Sequence, residues 1–105
     1  MITISPENKL VTVIVVFSVN PEQQQEFIAA IAENLETVVK KSPGFISSTI
    51  HKSTDGMQVV NYIQWQSMDH YHGYLQNAPR FNGSGLTAPP NMRVYEVEYQ
   101  GVGQN

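Results

Sequence analysis

The stretch "LVTVIVVFSVNPEQ", residues 10–23, decides the fold, because two different periodicities meet in it. From Leu10 to Ser18 the run is mostly β-branched and uninterrupted, as a buried central strand is. Alternation places Val11, Val13, Val15 and Phe17 on one side and Leu10, Ile14 and Val16 on the other, so both faces are apolar. Asn20 then offers a helix N-cap, Pro21 suits the first helical position, and Gln23 stands where a capping box places it. The predicted helix runs to about Lys41, with Phe27, Ile31, Leu35 and Val38 as its apolar stripe, widened by Ile28 and Val39. Lys40 and Lys41 suit the C-terminal end, and "SPG" at 42–44 stops the helix.

Working outward, "FISSTIHKS" (45–53) reads as a second strand and Gln58 to Gln66 as a third, joined by a turn at Asp55-Gly56. Ser67 caps a short second helix from about Met68 to Asn77, on which Met68, Tyr71, Tyr74 and Leu75 share the face turned to the sheet. A loop over 78–91 with three prolines and two glycines is long for a compact domain and suits a cover over a site. "MRVYEVEY" (92–99) alternates as a fourth strand. The order strand, helix, strand, strand, helix, strand predicts an α+β, ferredoxin-like domain, a four-stranded antiparallel sheet with two helices on one face. One domain spans 1–105, its core over about 10–99, with 1–8 and 100–105 as flexible tails. Two helices cannot cover both faces of the sheet, and the apolar second face of the first strand predicts a homodimer closing sheet against sheet. A monomer with its tail folded over that face is the alternative, but "QGVGQN" is poor cover.

The bulk properties narrow the function. A hydrophobic content of 41% fits a globular chain. The 6 Lys+Arg residues against 9 Asp+Glu are too few and too scattered for a phosphate-tracking stripe, which argues against nucleic acid as a partner. There is no cysteine, hence no disulfide, thiolate site or cysteine nucleophile. The start "MITISPENK" is not a signal peptide, and the run Val11 to Phe17 is too short to span a bilayer, so a cytoplasmic protein is expected. His70 and His72 point apart on a helix and cannot share a metal, and "NGSG" (82–85) lacks the strand and lysine of a phosphate loop.

What remains is aromatic and amide chemistry. In "NYIQWQS" (61–67), Asn61, Ile63 and Trp65 share one face while Tyr62, Gln64 and Gln66 share the other. With Phe17, Tyr71 and Tyr74, the first three compose an apolar, aromatic-lined pocket with a few polar groups, the ordinary form of a small-molecule site. Asn61 and Trp65 lie about 13 Å apart along the strand, so they bracket a ligand end to end. A tryptophan beside a helix is more often core packing than catalysis, whereas a buried asparagine must be hydrogen-bonded at a cost of about 1–3 kcal/mol if it is not.

The segments "VTVIVVFSVNPEQQQEFIAAI", "PGFISSTIHKS", "VVNYIQWQSMDHYHGYLQNAPRF" and "VYEVEY" together resemble the antibiotic biosynthesis monooxygenase domain of the dimeric α+β barrel superfamily, from about Leu10 to Tyr99. The resemblance implies a homodimer with one pocket per subunit, and an oxidoreductase acting on a small aromatic or polyphenolic, quinol- or anthrone-like substrate with O2. It implies no metal, flavin or other cofactor. The strand Asn and the Trp four residues on, implicated in catalysis in the family's oxygenases, match Asn61 and Trp65. The substrate-binding set expected with them is Phe17, Ile63, His70, Tyr71, Tyr74 and Arg80, the last on the covering loop. Two positions depart from the pattern: Val15 stands where several relatives have a polar residue, and Tyr74 where many have a histidine. A non-catalytic small-molecule-binding or stress-responsive dimer is the second reading. Haem processing is the third, disfavoured because no histidine follows His72.

Overall fold

In the computed structural model, residues 10–77 and 86–104 are described. They form β1 (Val11–Ser18), α1 (Gln24–Thr37), β2 (Phe45–Lys52), β3 (Gln58–Trp65), α2 (Met68–Asn77) and β4 (Asn91–Glu96). All three strand pairings are antiparallel and the order across the sheet is β2-β3-β1-β4. This is the expected α+β, ferredoxin-like arrangement. The expected N-terminal tail, Arg80 and residues 78–85 of the covering loop lie outside the described residues. No helix among the described residues is long and apolar enough to cross a membrane.

The β1–β3 register pairs Val11 with Trp65, Val13 with Ile63 and Val15 with Asn61. Residues directly opposite in an antiparallel pair share a face, so the apolar half of β1 and the Asn-Ile-Trp half of β3 meet under the helices. Phe17 packs edge-on against Phe27 of α1, ring centroids 4.8 Å apart. Val13, Val59, Phe27 and Trp65 are essentially inaccessible to solvent.

The first helix departs from its expected outline at both ends. Asn20 is extended but its side chain makes no capping bond, and Pro21–Gln23 form a 3-10 turn before α1 begins at Gln24. Gln24 is buried instead, its Nε2 donating to the carbonyls of Ser53 (3.2 Å) and Gln58 (3.0 Å), which ties the start of the helix to the β2–β3 hairpin. At the far end the β-branched run Thr37-Val38-Val39 is poor helix material. The Thr37 hydroxyl takes the Glu33 carbonyl at 2.9 Å, and the chain tightens into a 3-10 turn over Val39–Lys41. In α2, Tyr71 is buried, whereas Met68, in the first turn of the same stripe, stays 38% exposed. Ser67 caps that helix as expected, its Oγ accepting from the His70 backbone N–H at 3.2 Å.

Two glycines hold positive φ. Gly56 (φ 81°) closes the hairpin, where the Asp55 carboxylate accepts from Met57 N–H and the Ser53 hydroxyl; these donors hold it below the usual carboxylate range. Gly44 (φ 82°) enters β2 directly beneath the His70 imidazole, so closely that a Cβ there would lie 2.1 Å from His70 Cγ. The helix macrodipole plays no part in that contact; it is steric. Gly44→Ala therefore combines left-handed strain of about 1–2 kcal/mol with a clash, while at Gly56 the nearest atom to an added Cβ is Pro21 Cβ at 3.1 Å. Urea unfolding is expected to show a larger loss for Gly44→Ala than for Gly56→Ala, with His70→Ala recovering part of the Gly44→Ala loss.

Candidate functional site

Between the sheet and the two helices lies a cavity of about 310 Å³. Val13, Val15 and Phe17 of β1 and Asn61, Ile63 and Trp65 of β3 form its floor. Ile31, Asn34 and Leu35 of α1, with Val39, form one wall, and Tyr71, Tyr74 and Leu75 of α2 the other. Leu86, Pro90 and Met92 complete it. Leu86 is held there by a bridge to Val19 and by Thr87 N–H donating to the Ser18 carbonyl at 2.8 Å, so the described end of the 78–91 loop borders the cavity.

Of the residues singled out from sequence, Phe17, Asn61, Ile63, Trp65, Tyr71 and Tyr74 are brought together around this one space. His70 is not. Its Nδ1 is 2.8 Å from Ser67 Oγ, and it lines a second cavity of about 240 Å³ with Asp69, Ser42 and Asn77. Tyr74 lines both cavities.

The lining is aromatic at the Trp65 end. The Trp65 ring centroid lies 5.6 Å from Phe45, 6.0 Å from Tyr71 and 5.2 Å from Tyr74. Trp65 is 1% exposed, and its indole N–H is buried with no acceptor among the described residues. At the other end Asn61 is buried, its Oδ1 accepting from the Ser48 hydroxyl of β2. No described residue takes the Asn61 NH2 group. The indole N–H is thus unmatched among the described residues, a deficit of about 1–3 kcal/mol unless something else accepts.

No Asp, Glu, Lys, Arg or His is among the described residues lining this cavity, and no cluster of three or more such side chains among the described residues is placed to hold a metal. Among the described residues, the only ionisable groups lining it are phenols. Burial pushes the Tyr71 hydroxyl up, helped by the nearby Tyr74, and it donates to the Met92 thioether at 3.3 Å. Burial likewise pushes Tyr74 up, with the Asn34 side chain partly offsetting it. Both phenols are therefore held in the neutral form, and the Tyr71 hydroxyl serves as a donor.

Sequence reasoning passed over Ser48 and Asn34. Asn34 was within reach, since it stands seven residues after Phe27 on the buried stripe of α1. Ser48 was not: from Phe45 on, simple alternation points Ser47 at the cavity, but the register shifts between Phe45 and Ser47 and turns Ser48 inward opposite Ile63.

On the opposite face of the sheet, Gln64 is fully buried, its Nε2 donating to Thr12 Oγ1 at 3.2 Å while its Oε1 has no partner among the described residues. Ile14 and Val16 beside it are half-buried, and Gln66 is exposed past the strand's end. On β4 every residue is exposed.

The arrangement has close counterparts. A model of the family described as Antibiotic biosynthesis monooxygenase matches residues 10–80. The chain is 48% identical over 102 residues to the tetracenomycin-F1 monooxygenase of Streptomyces glaucescens, covering 94% of this chain and 91% of that protein. Among solved structures it is similar to the ActVA-Orf6 monooxygenase of Streptomyces coelicolor, determined with nanaomycin D, at a TM-score of 0.72 and 28% identity over 95% of this chain and 96% of that one. It shares the fold of SnoaB, a cofactor-independent oxygenase from Streptomyces nogalater, at a TM-score of 0.72 and 19% identity, over 88% of this chain and 96% of that one.

A neutral phenol buried in an apolar wall resists ionisation, so the folded state keeps these two protons beyond the pH at which the unfolded chain loses them. Stability is then fully present below the unfolded tyrosine value of about 10 and falls as pH rises through and above it. Denaturant titrations between neutral pH and strong alkali are expected to show this fall, and a shallower one in Tyr71→Phe and Tyr74→Phe.

Proposed function

Because the chain belongs to the antibiotic biosynthesis monooxygenase family, we propose that its cavity binds a polycyclic phenol of the anthrone or quinol kind and oxidises it with O2. Family membership makes it an oxidoreductase of the monooxygenase type. The observation that carries the substrate reading is a space walled mostly by apolar and aromatic groups, with the Asn61 amide in its floor and Trp65, whose indole N–H is unmatched among the described residues, at its other end. A flat, oxygen-rimmed aromatic molecule stacks on such walls and offers oxygen acceptors at its edges. The tetracenomycin and nanaomycin named for two relatives point to the same class of polycyclic compound.

The chemistry balances without an added reductant. The substrate loses a proton to give an electron-rich carbanion, and transfer of an electron to O2 followed by C–O bond formation gives a peroxide anion. Once protonated, that peroxide loses water as the remaining C–H proton leaves and the O–O bond breaks, so a CH2 group plus O2 becomes a carbonyl plus H2O. The chain's part is to orient the ring, exclude water and place donors where negative charge develops. Asn61 NH2 faces the substrate oxygen that takes up charge, and the Trp65 N–H stands at the opposite end, as a donor to the reduced oxygen species. Tyr71 and Tyr74 wall the ring. Since no carboxylate or imidazole among the described residues faces the cavity, the proton is lost through the substrate's own acidity, and the rate rises with pH along the substrate's ionisation.

In the same reading the molecule works as a cytoplasmic homodimer, its copies meeting through the sheet face that carries Gln64. Three features support this: the Gln64 Oε1 unpartnered among the described residues, Tyr95 of β4, which stands opposite Thr12 on that face and is 43% accessible, and the exposed Tyr99 and Val102 beyond it. Analytical ultracentrifugation is expected to show a species of twice the chain mass; a monomer at micromolar concentration overturns the pairing.

Oxygen uptake with dithranol, a dihydroxyanthrone, tests the oxidation. The wild-type protein is expected to consume O2 well above the spontaneous rate, with Asn61→Ala lower by about a hundredfold and Trp65→Phe also impaired. Uptake no faster than in buffer, or an Asn61→Ala rate equal to wild type, would favour the second reading, a non-catalytic binding dimer.

A further inference from the structure

We infer that Ser48 is a positioning residue, a hydroxyl that fixes which end of the Asn61 amide faces the cavity. The inference rests on the reading of Asn61 as the donor to the substrate oxygen. The amide has two ends of opposite character, and its terminal torsion is broad and roughly two-fold, so packing alone does not select one of them. Selection comes from Ser48. Its Oγ donates to Asn61 Oδ1. The carbonyl end is therefore turned towards β2 and the NH2 end is left to the cavity. Among the described residues no other side chain bonds either group.

The lock depends on a local irregularity. The shift of register between Phe45 and Ser47 puts Ser48 on the cavity face, opposite Ile63 and diagonal to Asn61, whose direct partner is Ile50. Without the hydroxyl, the amide turns over for part of the time and presents its carbonyl oxygen where negative charge develops. That orientation repels the transition state yet leaves the cavity's shape and aromatic walls intact. The loss therefore falls on kcat and spares ground-state binding.

The test uses dithranol turnover together with Trp65 fluorescence, which reports binding directly because Trp65 is the chain's only tryptophan and lines the cavity. For Ser48→Ala the expected kcat is lower by about tenfold, while the dissociation constant for the corresponding dihydroxyanthraquinone stays within about twofold. Ser48→Thr, which keeps the hydroxyl, is expected to recover the wild-type kcat. In an Asn61→Ala background Ser48→Ala is expected to change nothing further. A Ser48→Ala kcat equal to wild type, the same tenfold loss on top of Asn61→Ala, or failure of Ser48→Thr to recover overturns the inference.

Should wild type itself not turn dithranol over, the oxidation reading fails on its own, and the lock is still decided in the ligand-free protein. Side-chain 15N relaxation of Asn61 is expected to be rigid in wild type and Ser48→Thr and mobile in Ser48→Ala. Equal mobility in all three overturns it.

Discussion

The antiparallel pairing of β1 with β3 is the constraint on which the rest of the structure depends. Once Val11, Val13 and Val15 stand opposite Trp65, Ile63 and Asn61, one face of the central pair is committed to being apolar with a single amide and a single indole in it. A slip of one residue would turn Gln64 and Tyr62 to the helices and Asn61 and Trp65 away from them. The helices then have little freedom: α1 lays Phe27 and Ile31 over this face, and α2 brings Tyr71 and Tyr74 to the Trp65 end. The cavity is the space that these side chains leave between them.

Much of this was legible in the residues themselves. The β-branched run of β1, the stripe of α1 and the turn at Asp55-Gly56 carry strong local signals, and each specified its element within a few residues. The inward set on β3 followed from alternation because β3 is regular along its length. What alternation could not reach was β2, where one irregularity inverts the faces and brings Ser48, not Ser47, under the helices. The expected cap at Asn20 failed for a related reason. Tertiary context claimed Gln24 for the hairpin carbonyls, and the first turn tightened to let it reach them. His70 was placed on the cavity face by its position in the helix, yet the approach of Gly44 and the Ser67 hydroxyl holds it behind that face.

The site's chemistry is defined by how little charge it holds. Where Val15 stands opposite Asn61, the floor has one amide and a branched alkyl group, so its polarity is concentrated at Asn61 and the Trp65 indole and the intervening surface is apolar. In such surroundings a hydrogen bond to a developing anion is stronger than in water, and a misdirected one is correspondingly harmful. That asymmetry is why the orientation of a single side chain matters here, and why neutral tyrosines are suitable wall material: their hydroxyls donate without introducing a competing charge.

Tyr74 adds one more property. It lines both the principal cavity and the smaller one behind α2, so the size of both spaces depends on this one side chain. The sheet, the helix axis and the two donors need not move for the space to grow or shrink. A single codon can thus resize either space, with the backbone and the rest of the lining left as they are.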